Sequence, residues 1–227
     1  MKIWHISDTH GYHDLLEIPQ GVDLVIFSGD CGNVRDPYRN EHEVRTFLIW
    51  FHQLPIKYKV MVAGNHDSSF EKKLITSSQC LNDYGILYLE DESVHIEDMK
   101  IYGSPWTPAF NDWAFNKNRG KLGSYWEKSL PNDIDILVTH GPPKGILDLS
   151  EKREGGIEYC GDSGLLKAIL KRNIKFNMFG HIHDYRDHVN QGTMKLSNHE
   201  TIFSNGSVVK DGRFGVLSSN GNIFEII

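Results

Sequence analysis

Histidine is plentiful in this chain, 12 in 227 residues, and the five that follow apolar runs sit where chemistry could be done. Five times an apolar run stops and residues able to bind a cation follow at once. They are Asp8 and His10 in SDTHG, Asp30 in SGDCG, Asn65, His66 and Asp67 in AGNHD, His140 in VTHGPP, and His181 and His183 in FGHIHD. A lone Asp-x-His is a weak signal, and an aspartate after a strand is often only a turn or helix cap. GNHD is also a tight-turn sequence, because Gly and Asn tolerate positive φ. The repetition at successive strand ends is what carries weight. In an open α/β sheet the carboxyl ends of parallel strands share one edge, where ligands bind. Imidazole nitrogens, carboxylates and one amide oxygen make a mixed N/O set, which suits Mn, Fe or Zn better than an all-oxygen Ca or Mg cage. There are more side chains than one ion can use, and about enough for two ions sharing a carboxylate.

The elements that must position these residues are also legible. Residues 2–7 alternate and stop at DTHG. The runs at 22–28, 59–63, 134–139 and 176–179 are short and nearly all apolar, as expected of strands covered on both faces. Residues 41–54 carry a helical stripe of Val44, Phe47, Leu48 and Phe51 that ends before Pro55. Ser163 is expected to cap a helix reaching about Arg172, with Leu165, Leu166, Ile169 and Leu170 inward. Residues 85–102 hold three short strand-like runs, and 201–227 read as three short strands with Asn-Gly and Asp-Gly turns. With no repeat, low-complexity tract or dividing linker, the expectation is a single domain over 1–227: an α/β sandwich with more than one sheet.

Composition narrows the function. Hydrophobic residues at 39% and charged residues at 24% are ordinary for a folded soluble chain. A net charge of −6 argues against broad binding to a nucleic-acid polymer or an anionic membrane. Cys31, Cys80 and Cys160 are odd in number and form no CxxC pair, so a reducing compartment, the cytoplasm, is expected. The opening MKIWHISD reads as a strand rather than a signal peptide, and no apolar run is long enough to span a bilayer. His5, within the first strand, is expected to be a satisfied core or interface residue. His13, His42, His52, His95, His188 and His199 are expected to be surface or structural.

The ordered set DTH, GD, GNHD, THG and GHIH resembles the calcineurin-like metallophosphoesterase superfamily. The stretch IYGSPWTPAFNDWAFN followed by DILVTHGPP is similar to its metallophosphoesterase-domain-containing (UPF0046) branch. The resemblance runs along nearly the whole chain. It implies a four-layer αββα sandwich, two mixed sheets flanked by helices, with two divalent ions at one edge and manganese ranked ahead of iron or zinc. It implies that Asp8, His10, Asp30 and His183 hold one ion. Asp30 bridges, and Asn65, His140 and His181 complete the second. Two ions about 3.5–4 Å apart would share a hydroxide that attacks phosphorus in line. His66, not a ligand, would act at the leaving oxygen. Asp67 would orient His66 or the local backbone.

Departures from other branches bear on substrate. Protein phosphatases of the superfamily place an arginine four residues after the bridging aspartate, where this chain has Val34; Arg35 is out of register. Superfamily nucleases usually add a DNA-binding cap domain and a basic surface, for which this chain has neither the length nor the charge. A small phosphodiester remains, with a nucleotide or cyclic nucleotide favoured, acted on by a monomer or homodimer. Trp106, Phe110, Trp113 and Phe115 are either base-stacking residues or core. Trp106, Asn111, Asn116 and Arg119 are the candidate substrate contacts. The competing reading is a weakly active nucleotide binder or scaffold that keeps the fold. Scaffolds typically lose ligands, whereas every ligand position here is filled.

Overall fold

The fold is described from a computed structural model over residues 1–152, 154–210 and 216–226. Strand Lys2–Ile6 pairs in parallel with Leu24–Phe27, which pairs with Tyr58–Met61 and then Leu87–Tyr88; Asn222–Glu225 closes the other edge antiparallel to the first strand. In the second sheet Met99–Ser104, Ile136–Thr139, Phe176–Phe179 and Ile202–Asn205 run parallel, with antiparallel edges at Glu92–Ile96 and Gly192–Lys195. Both sheets are therefore mixed.

Alternation along each strand sorts its side chains into layers. Leu24 and Ile26 join Ile136, Val138 and Met178 between the two sheets. Val25 and Phe27 face the other way, onto Phe47, Leu48 and Phe51 of the helix Pro37–Gln53. On the far side Leu137 and Phe203 pack against Leu122 and Trp126 of Arg119–Ser129 and Leu165 and Ile169 of Ser163–Leu170. The result is helix, sheet, sheet, helix, with three apolar cores.

Several expected boundaries shift for local reasons. The first long helix starts at Pro37, ahead of the apolar stripe, because the Asp36 carboxylate accepts from Arg39 N at 3.0 Å and proline suits the first turn. Asp162, not Ser163, caps the later helix, accepting from Leu165 N at 2.6 Å. That helix ends at Leu170, whose side chain is exposed rather than inward. Helices Ser77–Tyr84 and Arg119–Ser129 and the hairpin Leu149–Glu151 with Ile157–Tyr159 had no sequence expectation. Towards the C-terminus, Val209–Lys210 and Val216–Leu217 pair between the two long strands. The Asp-Gly turn expected at 211–212 lies outside the described residues.

Candidate metal centre

Each expected residue lies just past the carboxyl end of a parallel strand. Asp8, His10, Asp30, Asn65 and His66 leave the first sheet; His140, His181 and His183 leave the second. The two edges are stitched together by a parallel bridge between Ser7 and Ser207, with Ser7 N donating to Gly206 O at 2.8 Å. Four of these residues have positive φ: Asp8 at 53°, His10 at 44°, Asp30 at 62° and His181 at 70°. Asp tolerates this region better than most residues, yet four such turns converging on one place is strain concentrated at a site.

The side chains form two groups. Asp8, His10 and His183 offer donor atoms within 4.8 Å of one another, and so do Asp30, His140 and His181. The groups adjoin. Asp30 Oδ2 lies 3.3 Å from His140 Nε2 and 4.0 Å from His10 Nε2, so its carboxylate reaches both. Asn65 Oδ1 sits 2.9 Å from His140 Nε2, beside the second group. His183 Nε2 lies 3.1 Å from Asp8 Oδ1. Two imidazoles are oriented from behind: His10 Nδ1 donates to Gly32 O at 2.9 Å and His140 Nδ1 to Ser28 O at 2.8 Å. This leaves both Nε2 atoms turned to the centre. The donor set, three or more N/O atoms on each side of a shared carboxylate, fits two divalent ions.

Electrostatics agree with that reading. Burial opposes charge on Asp8, but the hydrogen bond and charge of His183 hold its carboxyl well below the ordinary range. Asp30 is also held low against burial, chiefly by His140. Burial works against a proton on His140 as well, yet Asp30 and Asp8 override it and raise the imidazole to about 9. Burial keeps His10 and His181 neutral, at about 4 and about 3. Two ionised carboxylates therefore sit buried and draw positive charge inward.

Asp67 is fully buried and acts on the backbone, one of its two expected roles. Its Oδ2 accepts from Asp30 N and Gly64 N at 2.8 Å, and its Oδ1 from Cys31 N at 3.0 Å and Gly32 N at 3.1 Å. It makes no hydrogen bond to His66 among the described residues. His66 N donates to Asp30 Oδ1 at 2.7 Å, and the ring packs beside His10 at 4.9 Å between centroids. Ser207, for which sequence raised no expectation, donates from Oγ to Asp8 Oδ2 at 2.8 Å. Its signal was a further apolar strand ending in Asn-Gly-Ser.

The loop after Thr107–Pro108 brings other aromatics to the centre. The Phe110 ring lies 5.3 Å from His181 and the Trp113 ring 4.2 Å from His66. Three of the four candidate substrate contacts are engaged within the protein. Trp106 Nε1 donates to Asp91 Oδ2 at 2.9 Å, with Lys117 over its ring. Asn111 is exposed at the loop tip with φ 48°. Asn116 Nδ2 donates to Phe110 O at 3.1 Å, and Arg119 donates to Cys160 O and Gly161 O. Phe115 is core, at 1% exposure.

Known proteins place this arrangement. A family model for calcineurin-like phosphoesterases matches residues 1–185. Metallophosphoesterase domain-containing protein 1 of Homo sapiens is 33% identical over 202 residues, covering 79% of this chain and 59% of its own length. This chain thus spans under two thirds of that relative. UPF0046 protein K07C11.7 of Caenorhabditis elegans is 31% identical over 225 residues, covering 93% of this chain and 71% of its own. Among solved structures, one superposes with a TM-score of 0.66 at 16% identity over 90% of this chain and 89% of its own. TT1561 of Thermus thermophilus gives 0.56 at 13% identity over 90% and 88%. These two show the fold alone. Fold, site and sequence agree, and the chain belongs to the calcineurin-like phosphoesterase family.

Proposed function

We propose that this protein is a binuclear metal-dependent phosphodiesterase acting on a small phosphodiester, with a nucleotide or cyclic nucleotide as the favoured class. The observation that carries the reading is the pair of adjoining donor groups with Asp30 between them and His66 alongside. Asp8, His10, Asp30 and His183 would hold one ion, and Asp30, Asn65, His140 and His181 the other. Manganese is preferred, with iron or zinc also suited to the donors. When bound, two such ions would supply Lewis acidity for water activation and for polarising phosphoryl oxygens.

The chain's own residues do the rest. Buried Asp8 and Asp30 concentrate negative charge at the centre and draw cations to it. Asp67 and Ser207 hold Asp30 and Asp8 in place. His66 delivers a proton to the leaving oxygen as the bond to phosphorus breaks, and water supplies the oxygen that phosphorus gains. Phe110 flanks the centre beside His181 and offers a flat apolar face to a base or aryl group. A small substrate also fits the net charge of −6. Among the described residues no helix is long and apolar enough to cross a membrane. Three unpaired thiols support a cytoplasmic location.

The test is hydrolysis of bis(p-nitrophenyl) phosphate and of 2′,3′- and 3′,5′-cyclic nucleotides by metal-stripped protein given Mn, Zn, Fe(II), Mg or nothing. Metal-dependent turnover of diesters above that of a monoester is expected. Absence of turnover from folded protein shown to bind two ions would replace this reading with a nucleotide binder or scaffold.

A further inference from the structure

We propose that Trp113 is a positioning residue for His66, holding its imidazole by ring contact where Nδ1 has no hydrogen-bonding partner among the described residues. The proposal rests on the phosphodiesterase reading for its catalytic consequence, though not for its geometry.

The main chain of His66 is fixed twice: its N–H donates to Asp30 Oδ1 at 2.7 Å, and its carbonyl accepts from Asn40 Nδ2 at 2.7 Å. The ring is not. Its Nδ1 is buried and has no hydrogen-bond partner among the described residues, unlike the Nδ1 atoms of His10 and His140, each anchored on a carbonyl. What the ring does have is Trp113. The two centroids are 4.2 Å apart with planes inclined by 34°, a tilted stack, while the edge of His10 closes a second side at 4.9 Å and 85°. A ring confined in this way keeps its direction without a carboxylate behind it.

Trp113 is itself secured to the same neighbourhood. The Arg35 guanidinium carbon lies 5.2 Å from its ring centroid, and Arg35 Nη2 pairs with Asp112 Oδ2 at 3.2 Å. Two residues beyond, Phe115 N donates at 2.7 Å to Glu71, in the short helix Ser68–Glu71 that follows the GNHD turn. Ser68 Oγ donates to Arg35 O at 3.1 Å. The tryptophan loop, the Arg35 segment and the turn carrying His66 are therefore tied to one another. The sequence places Arg35 out of register for a direct role; in the fold it packs over the residue that stacks on His66.

Two measurements test this. The first compares Trp113→Ala and Trp113→Phe on bis(p-nitrophenyl) phosphate and on diphenyl phosphate, whose phenolate leaves less readily and needs the proton more. Alanine is expected to lower kcat on diphenyl phosphate about tenfold, and on the nitrophenyl ester under about threefold. KM and metal content should hold, and phenylalanine should restore most of the loss. Equal losses on both esters, or a change confined to KM, would make Trp113 a substrate wall and overturn the proposal. The second needs no activity. The His66 ring C–H resonances of histidine-labelled, metal-free protein are assigned through their loss in His66→Gln. One sharp set is expected in the wild type and in Trp113→Phe, broadened or multiple in Trp113→Ala; equally sharp signals in the alanine variant would overturn the proposal. If the alanine variant does not fold, Trp113→Leu takes its place, keeping apolar volume without a π face. If the wild type hydrolyses nothing with any metal, the phosphodiesterase reading fails and the resonance measurement still decides the positioning.

Discussion

His66 and Asp67 are adjacent in one turn and divide its work. Asp67 accepts four main-chain N–H groups from the two loops around Asp30, while His66 presents its ring beside His10. His66→Ala should lower turnover by about 10²–10⁴-fold, the range for losing a general acid, with both ions retained. Metal analysis alongside kinetics checks this, and loss of both ions would refute a non-ligand role. Asp30→Asn should deplete both ions at once, because the carboxylate reaches His10 and His140 together. One fully occupied site in that variant would argue against bridging. At this scale the sequence was most informative, since the donor residues have few structural uses in common. It was least informative for residues whose action is on a neighbour. The use of Asp67 depends on which N–H groups fold towards it, and Ser207 matters only because a second sheet brings it to Asp8.

Among elements, the tight strand–loop junctions do the positioning, and their glycines are part of the centre. A Cβ on Gly64 would collide with Asp30 Oδ1, and one on Gly180 with Asp8 Oδ2 and Ser7 Oγ. These glycines let two loops close onto the carboxylates. Gly64→Ala and Gly180→Ala should each weaken metal binding by at least tenfold, by displacing a buried carboxylate, while the sheets persist. Calorimetric titration with Mn, beside far-ultraviolet circular dichroism, measures both. Unchanged affinity in either variant would mean that the loops relax freely. The strands feeding these junctions were legible because each is a short apolar run that stops abruptly. Helix Arg119–Ser129 was not: Gly120 and Gly123 lower its propensity, and Leu122 and Trp126 are its only fully buried side chains, too sparse for a stripe.

For the whole molecule, the question is what holds two sheets in the register that brings five loops together. Besides the apolar layer between them and the links at the metal-centre edge, a polar link crosses within the strands: His5 in the first sheet, fully buried, bonds through Nδ1 to Ser204 Oγ of the second at 2.7 Å and through Nε2 to Ser28 Oγ at 2.9 Å. The sequence marks His5 as a satisfied core or interface residue, but not that it spans the sheets, because Ser204 is 199 positions away. Burial lowers its pKa from 6.5 to about 3, against a smaller opposing pull from Asp8. Well above pH 6.5 neither folded nor unfolded chain protonates this residue, and its contribution is constant. Between pH 6.5 and about 3 the unfolded chain takes up a proton that the folded chain refuses, so stability falls as pH falls, by about 1.4 kcal/mol per pH unit. From pH 7 to pH 5 this one residue should remove about 2 kcal/mol. His10 and His181, also held low by burial, add to the loss, while His140 and His183, held high, act in the opposite sense. The difference between wild type and His5→Gln isolates the link. Denaturant unfolding with chelator present should show the variant less stable at pH 7, yet losing about 2 kcal/mol less on going to pH 5. An identical loss in both proteins would mean that His5 takes a proton in the folded state, and that the sheets are held by their apolar layer without a neutral imidazole between them.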